Sequence, residues 1–387
     1  MSDWFRRRRR WVVFASLAVV VVLGVVAALS WHFSSTALVP DHSDWPEDVT
    51  IEEVDGERVV LSSSEDTRRQ GIYGLSWQGG HAIIGNVVSS DDDRVTRRLR
   101  DVQGYLAPGM EVAFERPYVG NPRKALGAPF SGVRVPGELG PMPAWLVPGR
   151  SRTWAIVVHG INDTPEGGLM VVPALRRAGL SSLLVTYRED LGAPSSPDGL
   201  HHMGLTEWRD LQAAARYAFA RGARNLVLIG YSMGGAIVSQ FMQRSPLAGR
   251  IAGLVLDAPA LSWEETFDFN ATEMGMPTFS TVPLKWAIDA RIDVDWDSLD
   301  ALRHPEDFQL PILLFHGTDD ELVPISTSDA FAEELPRRVD YFRVPGAGHT
   351  QSWNVDPALY ERRLVAFLRR VGAVQRGLER ADREVGD

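Results

Sequence analysis

The chain has no cysteine, and Lys124 and Lys285 are its only lysines in 387 residues. Without cysteine there is no thiol catalysis, no thiolate metal site, no disulfide and no lipid attached through sulfur. The positive charge is almost all arginine, a pattern that reads as coding bias rather than mechanism. A net charge of -10 favours solubility and argues against a nucleic-acid groove, which would need a basic face, so no nucleic-acid partner is expected. No internal repeat is visible. The 44% apolar and 23% charged shares are those of a folded globular chain with a large core.

Charge is also missing from residues 11–31, a run bounded by Trp11 and Trp31 and preceded by five arginines, Arg6 to Arg10. Such a run rises roughly 30 Å as a helix, the thickness of a bilayer's hydrocarbon core. Tryptophans favour the interface, and arginines favour the cytoplasmic side. The expectation is a basic cytoplasmic segment at 1–10 and a transmembrane anchor at 11–31, a single pass through the cell membrane. Everything after it is then extracytoplasmic. A cleaved signal peptide is the competing reading, with Ala28-Leu29-Ser30 as its cleavage site. Its apolar region would run only about 7–15 residues, so the uncleaved anchor is preferred.

Residues 32–48 are polar, contain Pro40 and Pro46, and read as a tether. Residues 49–129 carry short β-like patterns, including a hairpin signal at Asp55-Gly56 and an apolar stretch from His81 to Val88. This is expected to be a small β-rich accessory region. From Phe130 to about residue 371, continuous apolar runs alternate with helical spacing. Fully buried strands of a mostly parallel sheet, flanked by helices, read this way. Residues 260–305 are too long for a plain crossover. They carry Trp263, Phe267, Phe269, Met274, Met276, Phe279 and Trp286, which fits a cap over a pocket or a satellite core under a long loop. Residues 372–387 are expected to form a charged tail.

The strongest chemical signal is Gly230-Tyr231-Ser232-Met233-Gly234-Gly235, placed between an apolar strand and a helix. The sharp turn strains the serine backbone, and the glycines leave room where side chains would collide. Ser232 is the expected nucleophile, and it needs a base. In this strand-turn-helix arrangement the partners follow in the order serine, acid, histidine. Of His304, His316 and His349, only His349 lies beyond a plausible acid loop, in Gly346-Ala347-Gly348-His349. Asp320 is the expected acid, with Asp319 beside it and Asp257 at the preceding strand end as alternatives. The backbone amides of Met233 and Ile161, with Asn162 next to Ile161, are expected to form an oxyanion hole. His159 and His316 are read as loop supports, His201-His202 as loop structure rather than a metal site. Residues 207–210, Glu207-Trp208-Arg209-Asp210, are read as a helix start.

His159-Gly160, the Gly230 to Gly235 motif, the His316 to Pro324 segment and Gly348-His349 together resemble the α/β-hydrolase superfamily over residues 130–370. Tyr187-Arg188-Glu189-Asp190, Gly192-Ala193-Pro194 and Leu256-Asp257-Ala258-Pro259 are similar to membrane-anchored actinobacterial α/β hydrolases, relatives of serine aminopeptidase-like and esterase-like members. The resemblance implies the α/β-hydrolase fold and hydrolysis through an acyl-enzyme, with no metal or organic cofactor. A carboxylic ester hydrolase acting on a small or lipid-like acyl ester is the first expectation. A serine aminopeptidase-like enzyme is the second, with Glu264, Glu265, Asp268 and Glu273 available to read a substrate amine. A non-enzymatic binding protein on the same fold is the third.

Overall fold

The structure, a computed structural model, describes residues 2–384; Met1 and residues 385–387, the end of the expected tail, lie outside the described residues. Helix α1 (Ser2–Leu38) contains one stretch long and apolar enough to cross a membrane, Trp11–Leu38, whose most apolar 18 residues have a mean hydropathy of 3.0. The helix does not stop at Trp31. Ser34, Ala37 and Leu38 share one face at helical spacing and pack onto the domain that follows, with Ser34 and Leu38 fully buried. The tether expected from residue 32 therefore begins only at Val39. It is itself pinned, since Asp41 N–H donates to Asn162 Oδ1 at 3.0 Å.

Six antiparallel strands then close into a small barrel: β1 (Glu47–Val54), β2 (Arg58–Ser62), β3 (Tyr73–Trp77), β4 (Gly80–Ser90), β5 (Arg94–Gln103) and β6 (Glu111–Glu115). The order is β1-β2-β5-β4-β3-β6, with β6 returning to β1. The expected hairpin is present: Asp55 Oδ1 accepts from the N–H groups of Glu57 and Arg58, and Gly56 takes a φ of 88°. Alternate residues Val49, Ile51, Val59, Leu61, Leu75 and Ile84 fill the interior. A short helix α2 (Glu65–Arg68), capped by Ser64, joins β2 to β3; helix α3 (Pro122–Leu126), capped by Asn121, leads out of the barrel.

The second domain is built on eight strands: β7 (Ser131–Pro136), β8 (Pro141–Val147), β9 (Thr153–Val158), β10 (Ser181–Val185), β11 (Asn225–Tyr231), β12 (Ile251–Asp257), β13 (Ile312–Gly317) and β14 (Val339–Val344). Their order is β14-β13-β12-β11-β9-β10-β8-β7, parallel except for β8 and β7. Helices α4 (Val172–Arg177), α5 (Trp208–Ala220), α6 (Met233–Arg244), α7 (Trp263–Glu273), α8 (Val282–Ile292), α9 (Ile325–Glu334), α10 (Ser352–Val355) and α11 (Pro357–Glu384) complete it. Side chains from α5, α6 and α9 cover one face of the sheet, and those from α4, α10 and α11 cover the other. That is why the central strands read as unbroken apolar runs. Helix α11 continues to Glu384, so residues 372–384, expected as a tail, extend that helix. The cap helices α7 and α8 lie between β12 and β13, and a bridge between Ser262 and Asp300 closes the base of the insertion.

Candidate active site

The carboxyl ends of β9, β11, β13 and β14 open into the loops that carry His159, Ser232, Asp320 and His349, the region where open parallel sheets bind ligands. Ser232 joins β11 to α6 at φ 51°, a conformation that L-residues rarely adopt. Its neighbours explain the glycines. A Cβ on Gly230 would lie 2.7 Å from Gly234 O, and one on Gly234 would lie 2.3 Å from Val158 O. Neither contact is tolerable, so the turn needs glycine at both places.

Sequence separation vanishes here. His349 Nε2 lies 2.8 Å from Ser232 Oγ, and His349 Nδ1 lies 2.9 Å from Asp320 Oδ2. Asp320 Oδ1 also accepts the N–H groups of Leu322 and Val323, both at 2.9 Å, which fixes the carboxylate's direction. Burial opposes the charge on Asp320, but hydrogen bonds from His316 and His349 outweigh it and hold the carboxyl well below its usual range. Asp319 points away: it is exposed, and it accepts from Thr318 Oγ1. Asp257 is buried and accepts from Ser352 Oγ at 2.7 Å, not from His349. Burial raises the Asp257 carboxyl to about 6, against the smaller opposing effect of Ser352.

The loop after β9 lies against the serine, because a Cβ on Gly160 would be 3.1 Å from Ser232 Cβ. Gly160 O is held from the buried side by Tyr187 Oη at 2.5 Å and by His159 Nδ1 at 2.8 Å. Carbonyl and N–H point opposite ways across a trans peptide, so the Ile161 N–H is turned away from that pair. Met233 opens α6, where an N–H has no intrahelical acceptor. His159 Nε2 lies 2.9 Å from Asp190 Oδ2, so both ring nitrogens face acceptors. Burial works against a charge on this ring, yet Asp190 outweighs it and raises the His159 pKa. His316 bridges Ser328 Oγ and Val323 O below the acid loop. His201 Nε2 reaches Asn162 Oδ1 at 3.1 Å, and His202 faces Asp198. Buried Glu207 accepts three backbone N–H groups ahead of α5, and Asp210 clamps Arg188.

The cap divides in two. Trp263 and Phe267 pack inward, Trp263 donating to Met203 O at 3.0 Å. Phe269 and Glu273 border a shallow depression of about 380 Å3 against Asp319, Asp320, Pro324 and Ile325. Met274, Met276, Phe279 and Trp286 are exposed instead, outside both the core and that depression. Of the four acids, Glu264 and Asp268 are paired with Lys285, at 3.7 and 3.0 Å, and Glu264 also with Arg303.

One contribution had no signal in the sequence. The barrel docks beside the histidine loop: Ile72 N–H donates to Asn354 O, Asn354 Nδ2 donates to Ile72 O, and Tyr73 Oη donates to Gln351 Oε1 at 3.0 Å. Arg69 pairs with Glu321, next to Asp320, at 3.1 Å. Arg97 holds that segment in shape. It is fully buried and donates to the carbonyls of Thr67, Arg69, Gly71 and Gly85; burial lowers its pKa to about 10.

Residues 150–301 match the serine aminopeptidase (S33) family, and residues 50–115 match a domain of unknown function, DUF8805. An uncharacterized protein of Mycobacterium tuberculosis is 27% identical over 196 residues, which is 50% of this chain and 59% of that relative. The match thus spans about three fifths of the curated relative's length. Among solved structures, an esterase of Pyrococcus furiosus is similar over 65% of this chain and 95% of its own, with 20% identity and a TM-score of 0.52. At that identity the shared property is the fold. The strand order, the strained serine turn and the match over residues 150–301 agree: this part of the chain has the α/β-hydrolase fold.

Proposed function

We propose that the chain is a membrane-anchored serine hydrolase that cleaves a lipophilic carboxylic ester through an acyl-enzyme. The observation that carries this reading is the unbroken hydrogen-bonded line from Ser232 Oγ through His349 to Asp320. In the mechanism, Ser232 Oγ attacks the ester carbonyl carbon while His349 Nε2 takes the hydroxyl proton. Asp320 keeps the Nδ1 proton in place and stabilises the imidazolium. The N–H groups of Ile161 and Met233 receive the developing oxyanion. Collapse of the tetrahedral intermediate breaks the ester C–O bond, and His349 returns the proton to the leaving alcohol. Water then attacks the acyl-enzyme with His349 again as base, releasing the acid and restoring Ser232.

A peptidase using the same residues is the second reading, favoured by the family match over residues 150–301. Two of the cap acids are engaged, Asp268 by Lys285 and Glu264 by Lys285 and Arg303, which leaves Glu273, on the rim of the depression, as the acid placed to read a substrate amine. The test is fluorophosphonate labelling of the full chain in detergent, beside Ser232→Ala and His349→Ala, followed by turnover of p-nitrophenyl esters and aminoacyl amides. The expected result is labelling lost in both variants, and turnover of esters alone. Preference for the amides moves the peptidase reading to first place. A folded parent that neither labels nor turns over either substrate class leaves the binding-protein reading.

A further inference from the structure

Within thirteen residues the cap exposes Met274, Met276, Phe279, Val282 and Trp286, the last at 71% and Phe279 at 75%. Soluble surfaces seldom gather so much apolar area in one place without covering it. The opposite side of helix α8 is engaged with the protein: Ile288 and Ile292 are buried, and Lys285 is paired with Glu264 and Asp268. What lies beside this face points to its occupant. Helix α8 packs along the last turns of α1. Arg291 donates to Ser34 Oγ and Ser35 Oγ, both at 2.9 Å, and its guanidinium lies 4.8 Å from the centre of the Trp31 ring. Trp31 closes the uncharged run. Trp286 precedes Arg291 by five residues, about 8 Å along a helix axis. Ser30, inside the run, is itself buried, so packing already covers the end of the span.

We infer that Phe279, Val282 and Trp286, with Met274 and Met276, dock into the interface of the bilayer that α1 crosses. Tryptophan, phenylalanine and methionine suit that layer, where a helix lies with its apolar face sunk about 5–10 Å. The docked face adjoins the proposed site. Helix α7, which ends at Glu273 just before Met274, borders the depression at Asp320 through Phe269, and Asn270 Nδ2 bonds Leu322 O in the acid loop. A lipophilic ester therefore meets the cap where it leaves the membrane. The inference rests on the reading of α1 as a membrane span.

The cysteine-free chain makes the test direct. Single cysteines at Phe279→Cys and Trp286→Cys are labelled with an environment-sensitive nitrobenzoxadiazole dye. The full chain is then reconstituted in phosphatidylcholine vesicles at low protein-to-lipid ratio. Val20→Cys, in the span, and Tyr105→Cys, exposed on the barrel, serve as references. Phosphatidylcholine bearing a nitroxide near the top of its acyl chain should quench positions 279 and 286 at least about twofold more than position 105, and phosphatidylcholine bearing it near the end of the chain should quench position 20. Quenching at 20 but not at 279 and 286 overturns the docking and leaves the span intact. No quenching at 20 overturns the span reading, and the docking with it. Dye self-quenching that grows with protein density, without lipid quenching, assigns the patch to a second copy and overturns the inference.

Discussion

Asp320 and Asp257 sit at neighbouring strand ends and answer to pH in opposite senses. Asp320 is held below its usual range, so its contribution to stability is present above the unfolded value of 3.8 and is lost as pH falls through the folded one. Asp257 is raised to about 6, so the folded state holds its proton more tightly than the unfolded chain does. Its contribution is full below 3.8 and is lost as pH rises through about 6, on the order of 3 kcal/mol. Asp257→Asn keeps an acceptor for Ser352 and removes the titration. Thermal melts should show the variant less sensitive than the parent between pH 4 and pH 7, with a higher Tm at pH 7.5. A parent-like pH profile in the variant would sink the argument. The choice between Asp320 and Asp319 is a lesson at the same scale. Both follow one apolar strand, and what separates them is a turn whose N–H groups, on Leu322 and Val323, point at Asp320 alone. No spacing rule reveals the direction of a turn.

At the scale of elements, the strands of the second domain were legible because burial on both faces leaves unbroken apolar runs. The serine turn was legible because its steric demand for glycine is local. The docking of the barrel was not. Arg69 and Glu321 are separated by 252 residues, and nothing in a pair of adjacent arginines says which one turns inward. The contact predicts a division of labour. Arg69→Ala should lower kcat several-fold and slow fluorophosphonate labelling by the same factor, with KM and Tm little changed, because it frees the loops that hold Asp320 and His349. Arg69→Lys should recover part of the loss. Arg97→Met should behave differently. Leaving four buried carbonyls without their donor costs about 3 kcal/mol or more and should appear first as a lower Tm. A drop in stability with unchanged labelling in Arg69→Ala would assign Arg69 to architecture alone.

At the scale of the whole molecule, α1 is both a candidate span and a piece of the core. The polarity of residues 32–38 read as a tether, because serines and a histidine break the apolar run there. Helical spacing nevertheless brings Ser34 and Leu38 onto one face, and the domain buries both. A fragment beginning at Trp31 should therefore be more stable than one beginning at Val39. Loss of Leu38 alone costs about 2–5 kcal/mol, with the Ser34 and Ser35 bonds to Arg291 lost in addition. Chemical denaturation of the two fragments measures the difference, and equal midpoints would show that α1 stops contributing at the edge of the span.

The continuity of α1 also sets how the protein can move. A jointed stalk lets a head tumble and sweep a volume. One helix that runs from the apolar span into the packed core without a loop has no joint at which to bend. On the proposed anchoring, Ser232 keeps its height above the bilayer to within the tilt of the span, and spin about the membrane normal is left free. Such an enzyme patrols a sheet rather than a volume. Encounters are then governed by lateral diffusion and by how many substrates lie per unit of membrane area, so dilution of the surrounding solution leaves them unchanged.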